Sequence, residues 1–200
     1  MSRKLAVAIG VFVTVMTLSA APAMADVEAG FDAGSLPGTA QYMTGSGTLN
    51  NITGSLLANN DVDMYRICIS NPGNFSASTL PTPANFVVDP QLFLFNASGY
   101  AVTGNDDFFG LQSNIPVGTI AAWPKGVYYL AVSSFNNDPL AFRPDGTLQG
   151  MFDGGPVYTP TPNRGPVQQW TDNGFAGATK KYRLTLSGVK RLSGTGACPV

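Results

Sequence analysis

The sequence predicts an all-β protein, an antiparallel β-sandwich of eight or nine short strands. Gly (23) and Pro (15) are abundant among the 200 residues, whereas charged residues make up only 12%. This composition is typical of short strands joined by turns. No helical periodicity continues beyond two turns after residue 25. Because 44% of the residues are hydrophobic, we expect one folded domain over residues 26–191, followed by a tail at 192–200.

The first 25 residues have the pattern of a secretory signal peptide. Arg3 and Lys4 precede an apolar run at residues 5–18, and Ala23 and Ala25 form a small-x-small cleavage signal. An uncleaved N-terminal anchor is the alternative interpretation. No later stretch is long and apolar enough to cross a membrane. We therefore expect a secreted protein, either extracellular or periplasmic.

Alternation of apolar and polar residues predicts the first strands. The clearest is residues 63–70, where Tyr65, Ile67 and Ile69 fall on one face. The other strands expected before residue 80 are 39–43, 48–57 and 75–79.

The stretch at residues 89–107 combines two strands, a turn and an acidic loop. Residues 91–95 form a nearly continuous apolar run, which indicates a strand covered on both faces. Gly99 ends a turn and can adopt positive φ. The chain then returns as a strand at 100–103 and ends in Asn105, Asp106 and Asp107.

Three further strands are expected in the second half. They are residues 118–123, 127–134 and 180–187. In the last of these, Tyr182, Leu184 and Leu186 should face inward. Residues 135–169 show no clear elements, and a segment of that length is usually functional or mobile.

Charge is distributed unevenly along the chain. Eight carboxylates and one cation, Arg66, lie between residues 26 and 107. Asp61 and Asp63 are two apart, so an extended chain points both to one side, and Asn60 adds an amide oxygen. Such a turn suits calcium, which prefers oxygen ligands, although Asn and Asp also favour turns without any ion. A second candidate with the same alternative is Asn105, Asp106 and Asp107.

The two cysteines, Cys68 and Cys198, permit a disulfide in an exported chain. Cys68 lies within a predicted strand, so a bridge would attach the C-terminal tail to the sheet. The alternative is a buried thiol and a free terminal one.

The inventory of side chains excludes several functions. The chain contains no histidine, which excludes Ser-His-Asp and Cys-His catalysis and histidine-ligated zinc. It contains no phosphate-binding glycine loop, and its C-terminal basic cluster is too small to indicate nucleic-acid binding. Catalysis by carboxylates alone, as in glycoside hydrolases, remains open. We nevertheless expect a protein that is not an enzyme.

Four stretches in this order resemble the bacterial pre-peptidase C-terminal domain, in the variant common among secreted proteins with a PEP-CTERM sorting tail. They are NDVDMYRICI, DPQLFLFNASGYAVTGNDD, KGVYYLAVS and KKYRLTLSG. The resemblance implies a jelly-roll-like β-sandwich. Residues 192–200 lack the motif, apolar helix and basic end of the sorting tail, which argues against anchoring by that route.

A more distant similarity, to the collagen-binding domains of clostridial collagenases, implies a calcium site. In those domains an acidic N-terminal segment and an Asp-x-Asp turn hold the ion. The matching positions here are Glu28 and Asp32, together with Asn60, Asp61 and Asp63.

These observations favour a secreted, non-catalytic module that binds an extracellular protein, polysaccharide or matrix component. The alternatives are a structural or assembly-assisting domain without a ligand and a carboxylate-dependent hydrolase. Aromatic residues in or beside loops offer a ligand surface, unless they simply cap the sandwich. They are Phe108, Phe109, Trp123, Tyr158 and Trp170.

Overall fold

The computed structural model describes residues 26–27, 32–80, 89–108, 110–155, 157–174 and 180–199. The expected signal peptide at 1–25 lies outside them. The strands are β1 (Asp26–Val27), β2 (Gln41–Tyr42), β3 (Asn51–Leu56), β4 (Val62–Ile69), β5 (Ser76–Ser78), β6 (Pro90–Asn96), β7 (Ala101–Asn105), β8 (Asn114–Ile115), β9 (Gly126–Ser134), β10 (Pro139–Phe142), β11 (Leu148–Gly150), β12 (Phe152–Asp153), β13 (Thr159–Pro160), β14 (Gln169–Trp170), β15 (Lys180–Ser187) and β16 (Val189–Lys190). A 3₁₀ turn spans Pro72–Asn74. In these ranges no helix has the length and apolarity needed to span a membrane.

Two sheets form the sandwich. One has the order β1-β3-β15-β5-β8, and the other has the order β16-β4-β9-β6-β7, with β2 added beside β4. The long pairings, β4 with β9 and β3 with β15, are antiparallel. The prediction of an all-β antiparallel sandwich is therefore confirmed. Nine of the described strands have three or more residues, and the others have two.

The predicted alternation places the expected residues in the core between the sheets. Tyr65 and Ile67 of β4 and Leu184 of β15 are almost completely buried there. β15 begins and ends where the sequence predicts it. Complete burial of side chains of this kind stabilises the fold by roughly 1.5–3 kcal/mol each.

The six-stranded sheet is buried on both faces, as the apolar run at 91–95 predicts. Leu92 and Leu94 of β6 face the sandwich core, whereas Phe93 and Phe95 face a second core on the outer side. That side is covered by the β11-β10-β14 sheet and the β12-β13 hairpin. Residues 135–169, which show no clear elements in sequence, thus supply four of these short strands. They form a third layer, which we call the outer layer.

The prediction of a strand at 118–123 is wrong. The segment forms successive turns, in which the N–H of Ala121 donates to Gly118 O at 3.1 Å and that of Trp123 to Ile120 O at 2.9 Å. Ile120 is buried and its neighbours on both sides are exposed. One apolar anchor in an exposed turn therefore produced the strand-like pattern.

The C-terminal tail is attached to the six-stranded sheet. Cys68 and Cys198 form a disulfide with their Cα atoms 5.0 Å apart, which confirms the predicted bridge and excludes the alternative of two free thiols. Leu192 is completely buried, and Arg66 Nη1 donates to Gly196 O at 2.6 Å.

Candidate functional site

Three carboxylates meet where the N-terminal segment passes the turn before β4. Asp32, Asp61 and Asp63 each offer an oxygen, and these oxygens lie within 4.8 Å of one another. The segment is held there because the N–H of Met64 donates to Gly34 O at 3.3 Å. Asp63 is completely buried, Asp61 is half-buried and Asp32 is exposed. We call this group the Asp63 cluster.

The buried member of this cluster is joined to the opposite sheet. The hydroxyl of Tyr182 on β15 donates to Asp63 Oδ2 at 2.6 Å, and it also shares a hydrogen bond with the hydroxyl of Tyr65. Burial, followed by the nearby Tyr65 and Asp63, raises the pKa of Tyr182 well above its ordinary value. Tyr182 therefore stays protonated. A side chain at Gly54 would collide with both hydroxyls, so this glycine makes the arrangement possible.

The donor set of the Asp63 cluster fits calcium. The three side chains offer oxygen alone, and two ligands on opposite sides of a calcium ion are about 5 Å apart. Carboxylates this close repel one another unless a cation neutralises them. Asn60 lies in the same turn with its side chain exposed, and Glu28 lies outside the described residues.

A second acidic group lies at the ends of β6 and β7. Asp89, Asp106 and Asp107 also have carboxylate oxygens within 4.8 Å of one another, and we call them the Asp106 cluster. Burial, then the charges of Asp89 and Asp107, raises the pKa of Asp106 to about 6. Burial and the charge of Asp107 raise the pKa of Asp89 as well. Sequence reasoning missed Asp89, which lies far from Asp106 along the chain.

Asn105, which the sequence suggests as a ligand here, has a structural partner. It is completely buried, and its Oδ1 accepts a hydrogen bond from the N–H of Asn114 at 2.6 Å. Ser113 Oγ lies nearby, 2.8 Å from Asn105 O and 2.6 Å from Pro90 O. These contacts hold the ends of β6 and β7 against β8.

A cavity of about 300 Å³ opens on the outer layer. Its lining includes Phe93, Asp138, Met151, Phe152, Tyr158 and Thr171. The ring centroids of Phe93 and Phe152 are 5.4 Å apart, and those of Phe93 and Tyr158 are 5.8 Å apart. The wall thus has an aromatic side and a polar side.

Tyr158 reaches this position because Gly104 has no side chain. The backbones of the two residues exchange hydrogen bonds, with Tyr158 N–H donating to Gly104 O at 2.8 Å. A Cβ on Gly104 would lie 3.1 Å from the Tyr158 ring and 3.0 Å from the Phe93 ring. Gly104 therefore allows the β13 segment to pack on β7.

The aromatic residues suggested as a ligand surface separate into three groups. Trp170 is buried, and its Nε1 donates to Ser35 O at 2.8 Å, so it belongs to the core. Tyr158 lines the cavity, whereas Phe108 and Trp123 are exposed and Trp123 borders a second, shallower hollow of about 320 Å³. Phe109 lies outside the described residues.

Sequence reasoning did not identify Asp138 or Gln91 as site residues. Gln91 is a polar residue at the start of an apolar strand and is only 2% exposed. A polar residue within an apolar strand pattern is the sequence signal that could have identified Gln91. Asp138 belongs to a segment for which only the length suggests a function.

No family model matches this chain, and no curated protein matches it. The membership in the pre-peptidase C-terminal family that the sequence resemblance suggests therefore stays a prediction.

Proposed function

We propose that this protein is a secreted, non-catalytic module that binds part of an extracellular protein or polysaccharide in the outer cavity. The observation that carries the proposal is the cavity itself, which combines aromatic walls with the carboxylate of Asp138. Concave sites of about this size, mostly apolar with few polar groups, are typical of ligand sites.

The disulfide supports the proposed location. Cys68 and Cys198 are bonded, and disulfides persist in oxidising compartments and are rare in the cytosol. The signal-peptide pattern of residues 1–25 points the same way.

We further propose that calcium stabilises the module at the Asp63 cluster. Bound there, the ion would neutralise three carboxylates and tie the N-terminal segment to the turn before β4. Asp61 comes from that turn, Asp63 from the start of β4 and Asp32 from the segment, so the ion would join two parts of the chain that are far apart in sequence.

The absence of histidine from the sequence, and the presence of one carboxylate among the described residues of the cavity wall, support a non-catalytic role. One observation favours a carboxylate-dependent hydrolase as the second candidate. Burial, followed by the charges of Asp89 and Asp107, raises the pKa of Asp106 to about 6, and Asp106 lies near Tyr158, which lines the cavity with Asp138. A raised pKa suits a general acid. Release of sugar ends from the bound polysaccharide, abolished in Asp138→Asn, would favour the hydrolase.

A binding screen tests the proposal. The exported protein is incubated with immobilised polysaccharides and matrix proteins, with calcium and with chelator. We expect retention on at least one of them, reduced in a Phe152→Ala variant because Phe152 lines the cavity. Phe142→Ala is the matched control, since Phe142 is exposed and lies in the same outer layer. Equal retention of both variants would contradict binding at the cavity.

A further inference from the structure

The polar side of the cavity belongs to a hydrogen-bonded network of Asp138, Gln91 and Tyr158. Asp138 Oδ1 accepts a hydrogen bond from Gln91 Nε2 at 3.1 Å, and the same Nε2 lies 3.2 Å from the hydroxyl of Tyr158. Asp106 lies behind Tyr158, and burial, followed by the charge of Asp106, raises the pKa of the Tyr158 hydroxyl. The cavity wall is therefore backed by a second carboxylate that does not itself line it.

Three acceptor atoms in and beside this network lack a donor. Asp89 Oδ1, Gln91 Oε1 and Asp106 Oδ1 are buried side-chain oxygens without a hydrogen-bond partner. All three are acceptors, and an unpaired buried acceptor is costly. Arg143 pairs with Asp145, and among the described residues no lysine or arginine forms an ion pair with Asp89, Asp106 or Asp138. A ligand that brings positive charge would complement Asp138, which lines the cavity, and the carboxylates that lie behind the wall.

The aromatic part of the cavity wall suits an organic cation. Phe152 and Tyr158 are half-buried, their ring centroids are 6.3 Å apart, and both border the cavity. A cation close to aromatic rings is attracted by their negative faces, most strongly when water is excluded. Alkyl groups pack well against the faces of these rings, whereas a bare metal ion would need several oxygen ligands.

The size of the cavity points to a small group. Its volume of about 300 Å³ corresponds to roughly ten water molecules at about 30 Å³ each. A headgroup with a few carbon atoms fits within it.

We propose that the cavity binds an alkylammonium group, with the charge against Asp138 and the alkyl substituents against Phe152 and Tyr158. This inference rests on the proposed function, because it names the chemistry of the group that an extracellular ligand places in the cavity.

Choline and its uncharged isostere, 3,3-dimethylbutan-1-ol, test the inference by calorimetric titration of the exported protein in an amine-free buffer. We expect choline to bind at least tenfold more tightly, and added sodium chloride to weaken it, because the difference between the probes is the charge. n-Butylamine distinguishes a primary from a quaternary ammonium.

Two isosteric variants locate the site. Asp138→Asn keeps an acceptor for Gln91 and removes the charge, so choline affinity should fall about tenfold. Asp145→Asn, an exposed carboxylate of the outer layer, should leave it unchanged.

Equal binding of choline and the isostere would overturn the inference, as would full choline affinity in Asp138→Asn. If neither amine binds but the screen above finds a ligand sensitive to Phe152→Ala, the inference fails and the proposed function stands. If the screen also finds none, both fail. The comparison of the probes uses the unaltered protein and does not depend on a variant that folds.

Discussion

The hydroxyl of Tyr182 on β15 donates a hydrogen bond to Asp63 Oδ2 on β4 across the sandwich, at 2.6 Å. One polar contact therefore links the two sheets at the candidate calcium site. It also positions the buried member of the Asp63 cluster through a donor that burial keeps protonated.

Tyr182→Phe should destabilise the fold by about 1–3 kcal/mol, because it removes a donor to a buried carboxylate. Urea unfolding measures this effect. Tyr100→Phe is the control, since Tyr100 is 46% exposed, and it should change little. Equal losses in the two variants would contradict the role assigned to the hydrogen bond.

Calcium should raise the unfolding midpoint, and chelator should lower it. Mass action gives about 2.7 kcal/mol of stabilisation at a hundredfold excess over the dissociation constant. Asp61→Asn removes a charge from the Asp63 cluster and should reduce the response, whereas Asp107→Asn, in the Asp106 cluster, should retain it. An unfolding midpoint that does not change with calcium would mean that the site does not exist. Loss of the response only in Asp107→Asn would place the ion in the Asp106 cluster.

Reduction of the disulfide should destabilise the protein by roughly 5 kcal/mol in the chain-entropy account, given a sequence separation of 130. The measurement is urea unfolding with and without reductant. Cys198→Ser should show the reduced stability under both conditions. A reductant effect that persists in this variant would show that the bridge is not its cause.

Asp106→Asn should stabilise the protein at neutral pH. The pKa of Asp106 in the folded protein, about 6, lies above its ordinary value of 3.8 because of burial first and then Asp89 and Asp107. The folded state therefore binds this proton more tightly, and the associated stability is complete below about pH 4 and is lost as the pH rises through 6.

The asparagine variant carries no charge at any pH. With chelator present, we expect it to be more stable than the unaltered protein by about 1 kcal/mol at pH 7, after a discount for solvent screening of a half-buried group, and about equal at pH 4. Asp172→Asn, an exposed carboxylate, should show no such pH dependence. A constant difference across this range would refute the explanation.

Gly104→Ala should destabilise the outer layer by about 1–3 kcal/mol, since its Cβ would lie 2.9 Å from Leu92 O and 3.1 Å from the Tyr158 ring. Gly150→Ala, in β11, meets nothing within 4 Å and is the matched control. Thermal unfolding compares the two. Equal midpoints would show that Tyr158 can move away at no cost.

The sequence alone determined which strand faces are buried, because burial has a local signature in strands. Alternation at residues 63–70 and 180–187 predicted which side chains enter the core, and the continuous run at 91–95 predicted a strand covered on both faces. The pairing of Cys68 with Cys198 followed from composition and compartment, since the chain contains two cysteines and a signal-peptide pattern.

Only the tertiary structure decided which polar side chains meet. Asp89 joins Asp106, and Asp138 joins Gln91 and Tyr158, because strand register and the packing of residues 135–169 bring them together. The strands of that segment are two to four residues long, too short for periodicity to show. They form because they bury Phe93 and Phe95 on the outer face of the six-stranded sheet. This burial depends on contacts between residues that are far apart in the chain.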